Sequence, residues 1–128
     1  MADSIVRVKS RAFALRIIKL KQHLVDNKKE YEISKQLSRS GTSIGANIAE
    51  ANHAVSKREF LVKMNIALKE AAETEYWLEL LRDAEIITEQ QFVSVNADCN
   101  EIKSLLVKIV KTTSDNLKSA ELRVQSAE

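Results

Sequence analysis

Two glycines, Gly41 and Gly45, stand four residues apart in a chain of 128 residues that has no other glycine and no proline. These two residue types most often interrupt a helix, so a chain nearly free of them is suited to long helices joined by short connections. Four apart on a helix, Gly41 and Gly45 share one face. Ser40, Ser43 and Ala49 add small side chains around them, so a neighbouring backbone can approach closely. The spacing matches the small-residue contacts of membrane helices, but Arg39, Asn47 and Glu50 in the same stretch rule out a bilayer span. The stretch predicts a tight helix–helix seam in a soluble protein.

Apolar periodicity places four helices. The first is expected over residues 5–26, capped by Asp3 or Ser4. It carries two helical stripes, one of Phe13, Ile17, Leu20 and Leu24, the other of Ile5, Val8, Ala12 and Leu15. The second, over residues 32–53, has Ile33, Leu37, Gly41, Ile44, Ile48 and Ala51 on its core stripe. Ser56-Lys57-Arg58-Glu59 has the spacing of a capping box and opens a third helix over residues 57–84. Its core stripe is Phe60, Met64, Ala67, Ala71, Leu78 and Leu81. A second line on it, Ile66, Glu70, Glu73, Trp77, Leu80 and Ala84, is also partly apolar. Two partly apolar faces exceed what one bundle uses, which points to a subunit interface. Thr88-Glu89-Gln90-Gln91 is a second capping box and opens a fourth helix over residues 89–112. There Phe92, Val95, Cys99, Ile102, Leu106 and Ile109 alternate steps of three and four. Leu117, Ala120 and Val124 extend that seam to about residue 124. The expected fold is all-α, an antiparallel up-down-up-down four-helix bundle in one domain.

Charge is unevenly spread. Residues 1–29 hold eight Lys and Arg against two Asp, and the rest of the chain holds twelve against sixteen Asp and Glu. The first helix is thus basic, with Arg7, Arg11, Arg16 and Lys19 as candidate contacts for RNA or DNA. Its structural alternative is a solvated face, or one paired with acidic helices of the same chain. The N-terminus lacks the basic start and apolar core of a signal peptide, and a single cysteine forms no internal disulfide, so a cytoplasmic protein is expected.

No catalytic constellation emerges. Glu50-Ala51-Asn52-His53 supplies one Glu-x-x-His, whereas di-iron bundles use two, and His23 follows Leu20 rather than a glutamate. Cys99 falls on the apolar seam and reads as a buried small hydrophobe. Tyr76-Trp77 reads as packing or interface rather than a stacking platform for bases. Ser40, Ser43, Asn47 and Glu50 form a polar row beside the second helix's core stripe; either it is a network in which Arg39 or a base on another chain neutralises Glu50, or it is an ordinary solvent-exposed row. The expectation is no cofactor, no metal, no membrane and no small-molecule substrate.

Arg39 with Asn47-Ile48-Ala49-Glu50, Ser56-Lys57-Arg58-Glu59-Phe60-Leu61, Ile66-Ala67-Leu68-Lys69-Glu70-Ala71 and Glu73-Thr74-Glu75-Tyr76-Trp77-Leu78 together resemble the 23S rRNA intervening-sequence protein family over about residues 5–112. Members often have glycine where this chain has Ala51, and some have proline where it has Gly45. The resemblance implies an antiparallel four-helix bundle assembled as a ring-shaped homopentamer. It also implies kinship with a bundle that serves as an accessory protein to reverse transcriptases, where a basic surface meets nucleic acid. It carries no catalytic residues. Arg39, Asn47, Glu50, Glu73 and Glu75 match its motifs. With Gly41, Gly45 and Trp77, they are expected to organise helix and subunit contacts in a non-enzymatic, self-assembling protein.

Overall fold

A computed structural model describes residues 2–127, and among them it holds four α-helices and no strand. They are α1 (Ala2–Lys28), α2 (Glu32–Ala51), α3 (Lys57–Asp83) and α4 (Glu89–Ala127). Each helix packs against its two neighbours around a square, α1 on α2, α2 on α3, α3 on α4 and α4 on α1. Cross-helix pairs run in opposite directions. Lys9 meets Glu101 and Arg16 meets Asp98 between α1 and α4, while Arg39 meets Glu70 and Lys63 meets Glu50 between α2 and α3. The neighbours are therefore antiparallel.

The helix ends follow from local chemistry. Ser56 caps α3 by accepting the Glu59 N–H at 3.1 Å, and the Glu59 carboxylate reaches back to the Val55 N–H. At the start of α4 the Thr88 hydroxyl accepts the Gln91 N–H, and the Gln91 side-chain carbonyl accepts the N–H of Thr88 itself. The start of α2 is different. Tyr31 gives no side-chain cap, and the Glu30 carboxylate instead accepts from the N–H groups of Glu32, Ile33 and Ser34. Lys29 and Glu85, at φ 55° and 60°, take the left-handed conformation just after α1 and α3. After α3 the Glu85 N–H returns to the Arg82 carbonyl and the Ile86 N–H to that of Leu81, a Schellman closure made without glycine.

Several boundaries differ from the sequence expectation. α1 is already helical at Ala2, so neither Asp3 nor Ser4 stands at its N-cap, and that cap lies outside the described residues. α2 stops at Ala51, and His53 lies in the turn beyond it. α4 continues unbroken to Ala127, past the last turn that α1 covers, held to α3 by Arg58 and Glu121.

The core is one apolar cluster drawn from all four helices, including Phe13, Ile17, Leu37, Ile44, Met64, Leu78, Ile102 and Leu106. On α1 the two predicted stripes separate. Phe13, Ile17 and Leu24 are buried, whereas Ile5, Val8, Ala12 and Leu15 face outward, and Val6 and Ser10 fill the core in their place.

Candidate interaction surface

The glycine stretch packs against α1 of the same chain. A Cβ on Gly41 would lie 2.9 Å from Ile17 Cγ2, closer than a side chain tolerates, and one on Gly45 would lie 3.4 Å from the Ser10 carbonyl oxygen. The two glycines therefore line the seam between α1 and α2.

On the opposite flank of α2, Arg39 reaches α3. Its guanidinium pairs with Glu70 at 3.3 Å and with Glu73. The same Glu73 oxygen accepts the Trp77 indole N–H at 3.2 Å. Arg39, Glu73 and Trp77 thus form one bracket, and Tyr76 meets the Trp77 ring edge-on with centroids 5.0 Å apart. Trp77 packs against the core while Tyr76 is 53% exposed. The bracket joins a half-exposed charged arm to a half-buried aromatic anchor.

Within the chain Arg39 pairs with Glu70 and Glu73 and does not reach Glu50. Glu50 pairs at 2.9 Å with Lys63 on α3, and that hydrogen bond, followed by the charge attraction of the same Glu50, raises the Lys63 ammonium above its ordinary pKa. Glu75 lies on the other flank of α3, where it pairs with Lys103 of α4 at 2.9 Å. Asn47 donates to the Ser43 carbonyl and Ser43 to that of Arg39, so these two rows close on their own helix. Ser40 instead turns inward, with its oxygen 2.9 Å from that of Thr74 on α3 in the buried interior. Sequence reasoning missed Lys63 and Lys103 because their partners come from separate helices. It missed the Thr74 bond because a hydroxyl on an alanine-rich stripe gives no periodic signal.

The four candidate cations of α1 are not equivalent. Arg16 is held by Asp98, by the Ser94 carbonyl and by the Ser94 hydroxyl. Arg7, Arg11 and Lys19 are exposed, and among the described residues none has an ionic partner. They alternate with Val8, Leu15 and Ile18, which are 67%, 53% and 42% exposed. A comparable outward row on α3 comprises Val62, Ile66, Tyr76 and Leu80. Ile66, Trp77 and Leu80 were legible as a second line; Val62, four residues before Ile66, continues that line and was overlooked, and Tyr76 was not legible because it lies one position off it.

Chemical groups are sparse. Burial, and then the nearby Glu75 carboxylate, push the Cys99 thiol up to about 12. Its sulfur faces the Ala71 carbonyl at 3.4 Å. A thiol this hard to ionise is a poor nucleophile at neutral pH. Among the described residues no group of three or more His, Cys, Asp and Glu is placed to hold a metal, and no helix is long and apolar enough to cross a membrane.

The family model described as 23S rRNA-intervening sequence protein matches residues 2–108. A crystal structure at 1.70 Å of a protein of unknown function from the S23 ribosomal protein family of Bacteroides thetaiotaomicron VPI-5482 is 56% identical. It superposes with a TM-score of 0.86 over 87% of this chain and 99% of that one. Among curated proteins nothing matches. The chain belongs to the 23S rRNA-intervening sequence protein family, and the end of α4 past residue 108 lies outside the matched region.

Proposed function

We propose that this member of the 23S rRNA-intervening sequence protein family is a non-enzymatic cytoplasmic scaffold that assembles with copies of itself into a closed homo-oligomer, a pentamer. The observation that carries this reading is the outward row of α3. Met64, Ala67, Ala71, Leu78 and Leu81 already satisfy the core from this helix. Val62, Ile66, Tyr76 and Leu80 remain on the far side with no use inside the bundle. A surplus apolar face of this kind marks an interaction site. The bracket of Arg39, Glu73 and Trp77 lies beside it and stiffens its edge. The number five follows the family resemblance. Light scattering during gel filtration tests the reading: a single species of several protomers supports it, and a monomer at tens of micromolar overturns it.

A second reading, a nucleic-acid-binding accessory protein, is favoured by one observation. Arg7, Arg11 and Lys19 are exposed cations with no ionic partner among the described residues. Phosphate contacts of this type release counterions, so binding weakens steeply with salt. RNA binding that falls with added salt and is lost on replacing these three residues supports it. Arg16 belongs outside that set because Asp98 already neutralises it.

A further inference from the structure

We infer that the outward face of α1 is a docking surface for an anionic lipid bilayer, on which the helix lies in the plane of the headgroups. This contact uses no part of α3 and so stands apart from the assembly reading. It departs from the sequence expectation of no membrane, which follows from the want of a spanning segment; a surface contact needs none.

The face is one stripe. Val8, Arg11, Leu15, Ile18 and Gln22 recur in steps of three and four, opposite the buried Val6, Phe13, Ile17 and Leu24, and Arg7 and Lys19 flank them. The stripe runs about 20 Å. Nothing within the chain competes for its charge. α1 has no acid between Asp3 and Asp26, and α2 beside it has none from Ile33 to Ala49. On the α4 border Asp98 and Glu101 are taken by Arg16 and Lys9. Arg7, Arg11 and Lys19 thus remain without an ionic partner among the described residues.

The make-up of the stripe selects its occupant. Val8, Leu15 and Ile18 interleave with the cations. A nucleic-acid backbone satisfies the cations but leaves these aliphatic side chains against water and phosphate. A second copy of this chain supplies no acidic complement. On the outward face of α3, Glu73 and Asp83 are held by Arg39 and Arg82, which leaves Glu79 against Lys69. An anionic bilayer meets both halves of the pattern. The aliphatic side chains enter the boundary between headgroups and acyl chains, and the long arms of Arg7, Arg11 and Lys19 carry their charges out to the lipid phosphates.

Flotation with vesicles of phosphatidylcholine, with and without phosphatidylglycerol, tests this. The full chain is expected to float with the mixed vesicles and not with phosphatidylcholine alone. Arg11→Gln with Lys19→Gln is expected to weaken that binding about 30-fold, at about fivefold per cation. Leu15→Gln with Ile18→Gln is expected to weaken it about tenfold or more, with the oligomeric state and any RNA binding unchanged. All four positions are exposed, and circular dichroism checks the fold. A polarity-sensitive dye reports insertion, and decides the matter should the double variant unfold. Attached through Leu15→Cys, the dye is expected to shift to the blue on mixed vesicles. Attached through Ala97→Cys, on the exposed face of α4, it is expected to stay unchanged, and the buried Cys99 stays unlabelled. No flotation of the folded chain, flotation that Leu15→Gln with Ile18→Gln leaves intact, or a Leu15 dye that does not shift overturns the bilayer contact. RNA binding in place of flotation overturns it in favour of nucleic acid. Loss of the oligomer in the folded Leu15→Gln, Ile18→Gln variant overturns it in favour of a contact between copies.

Discussion

A methyl group on Gly41 would approach the Ile17 Cγ2 atom to 2.9 Å, so these two residues fix how closely α2 lies against α1. A methyl group on Gly45, four residues on, would rest 3.4 Å from the Ser10 carbonyl oxygen, an ordinary contact distance. The two glycines look alike in sequence and differ in consequence. Gly41→Ala forces Ile17 or the helices apart, a cost of about 1–3 kcal/mol, against a gain of about 0.5–1 kcal/mol from removing a helical glycine. It is expected to lower stability in a denaturant titration. Gly45→Ala keeps the gain without the clash and is expected to leave stability level or raise it by up to about 1 kcal/mol. Gly45→Leu drives a long side chain into the Ser10 backbone and is expected to destabilise strongly.

The buried hydroxyls of Ser40 and Thr74 couple α2 to α3 from the inside. Thr74 also reaches the Glu70 carbonyl at 2.8 Å, whereas Ser40 has only the Leu37 carbonyl, at 3.4 Å, as a second partner. Thr74→Val therefore strands Ser40 and is expected to cost about 1–3 kcal/mol, more than Ser40→Ala. Because the two share one bond, the double variant is expected to cost less than the two single changes together. Strict additivity in urea unfolding would show that the bond contributes nothing.

Cys99 predicts an alkaline sensitivity. Its folded pKa, about 12, lies above the ordinary thiol value of 9.0. A group raised on folding contributes stability that is fully present below its unfolded pKa and lost as pH rises through the folded one. The loss therefore falls between about pH 9 and pH 12, and is on the order of a few kcal/mol. Thermal melting of the wild type is expected to decline more steeply across that window than melting of Cys99→Ala. Parallel curves would contradict the burial of this thiol.

Arg39 and Glu50 act at the surface, and their pairs are worth little to the isolated protomer. Arg39→Ala or Glu50→Ala is expected to cost under about 1 kcal/mol in melting. The sensitive readout for Arg39 is Trp77. Without the guanidinium, Glu73 is free to leave the indole N–H, and the tryptophan emission is expected to shift to the red. Unchanged emission, melting and assembly for Arg39→Ala would remove the bracket from the account.

The periodic parts of this fold were legible because burial and spacing coincide. Leu37, Gly41, Ile44, Ile48 and Ala51 recur at helical spacing and all lie inside. Where two stripes competed, spacing alone had no vote. Ile5, Val8, Ala12 and Leu15 repeat as regularly as Phe13, Ile17, Leu20 and Leu24, and only packing against α2 and α4 decides which turns inward. Side-chain partnerships were less legible still. Glu73 and Glu75 stand two apart, so they point to different flanks of α3, one to Arg39 on α2 and the other to Lys103 on α4. The Glu30 cap was missed because a glutamate ahead of Tyr31 departs from the usual Ser, Thr, Asp or Asn at that place.

Assembly is the claim on which the rest depends, and native mass spectrometry of protein purified without nuclease or added metal tests it most directly. One closed species at five times the 14.4 kDa protomer mass, carrying no further mass, is expected. A lone protomer at 14.4 kDa would contradict it, and a particle carrying nucleic acid would favour the reading in which Arg7, Arg11 and Lys19 bind phosphate.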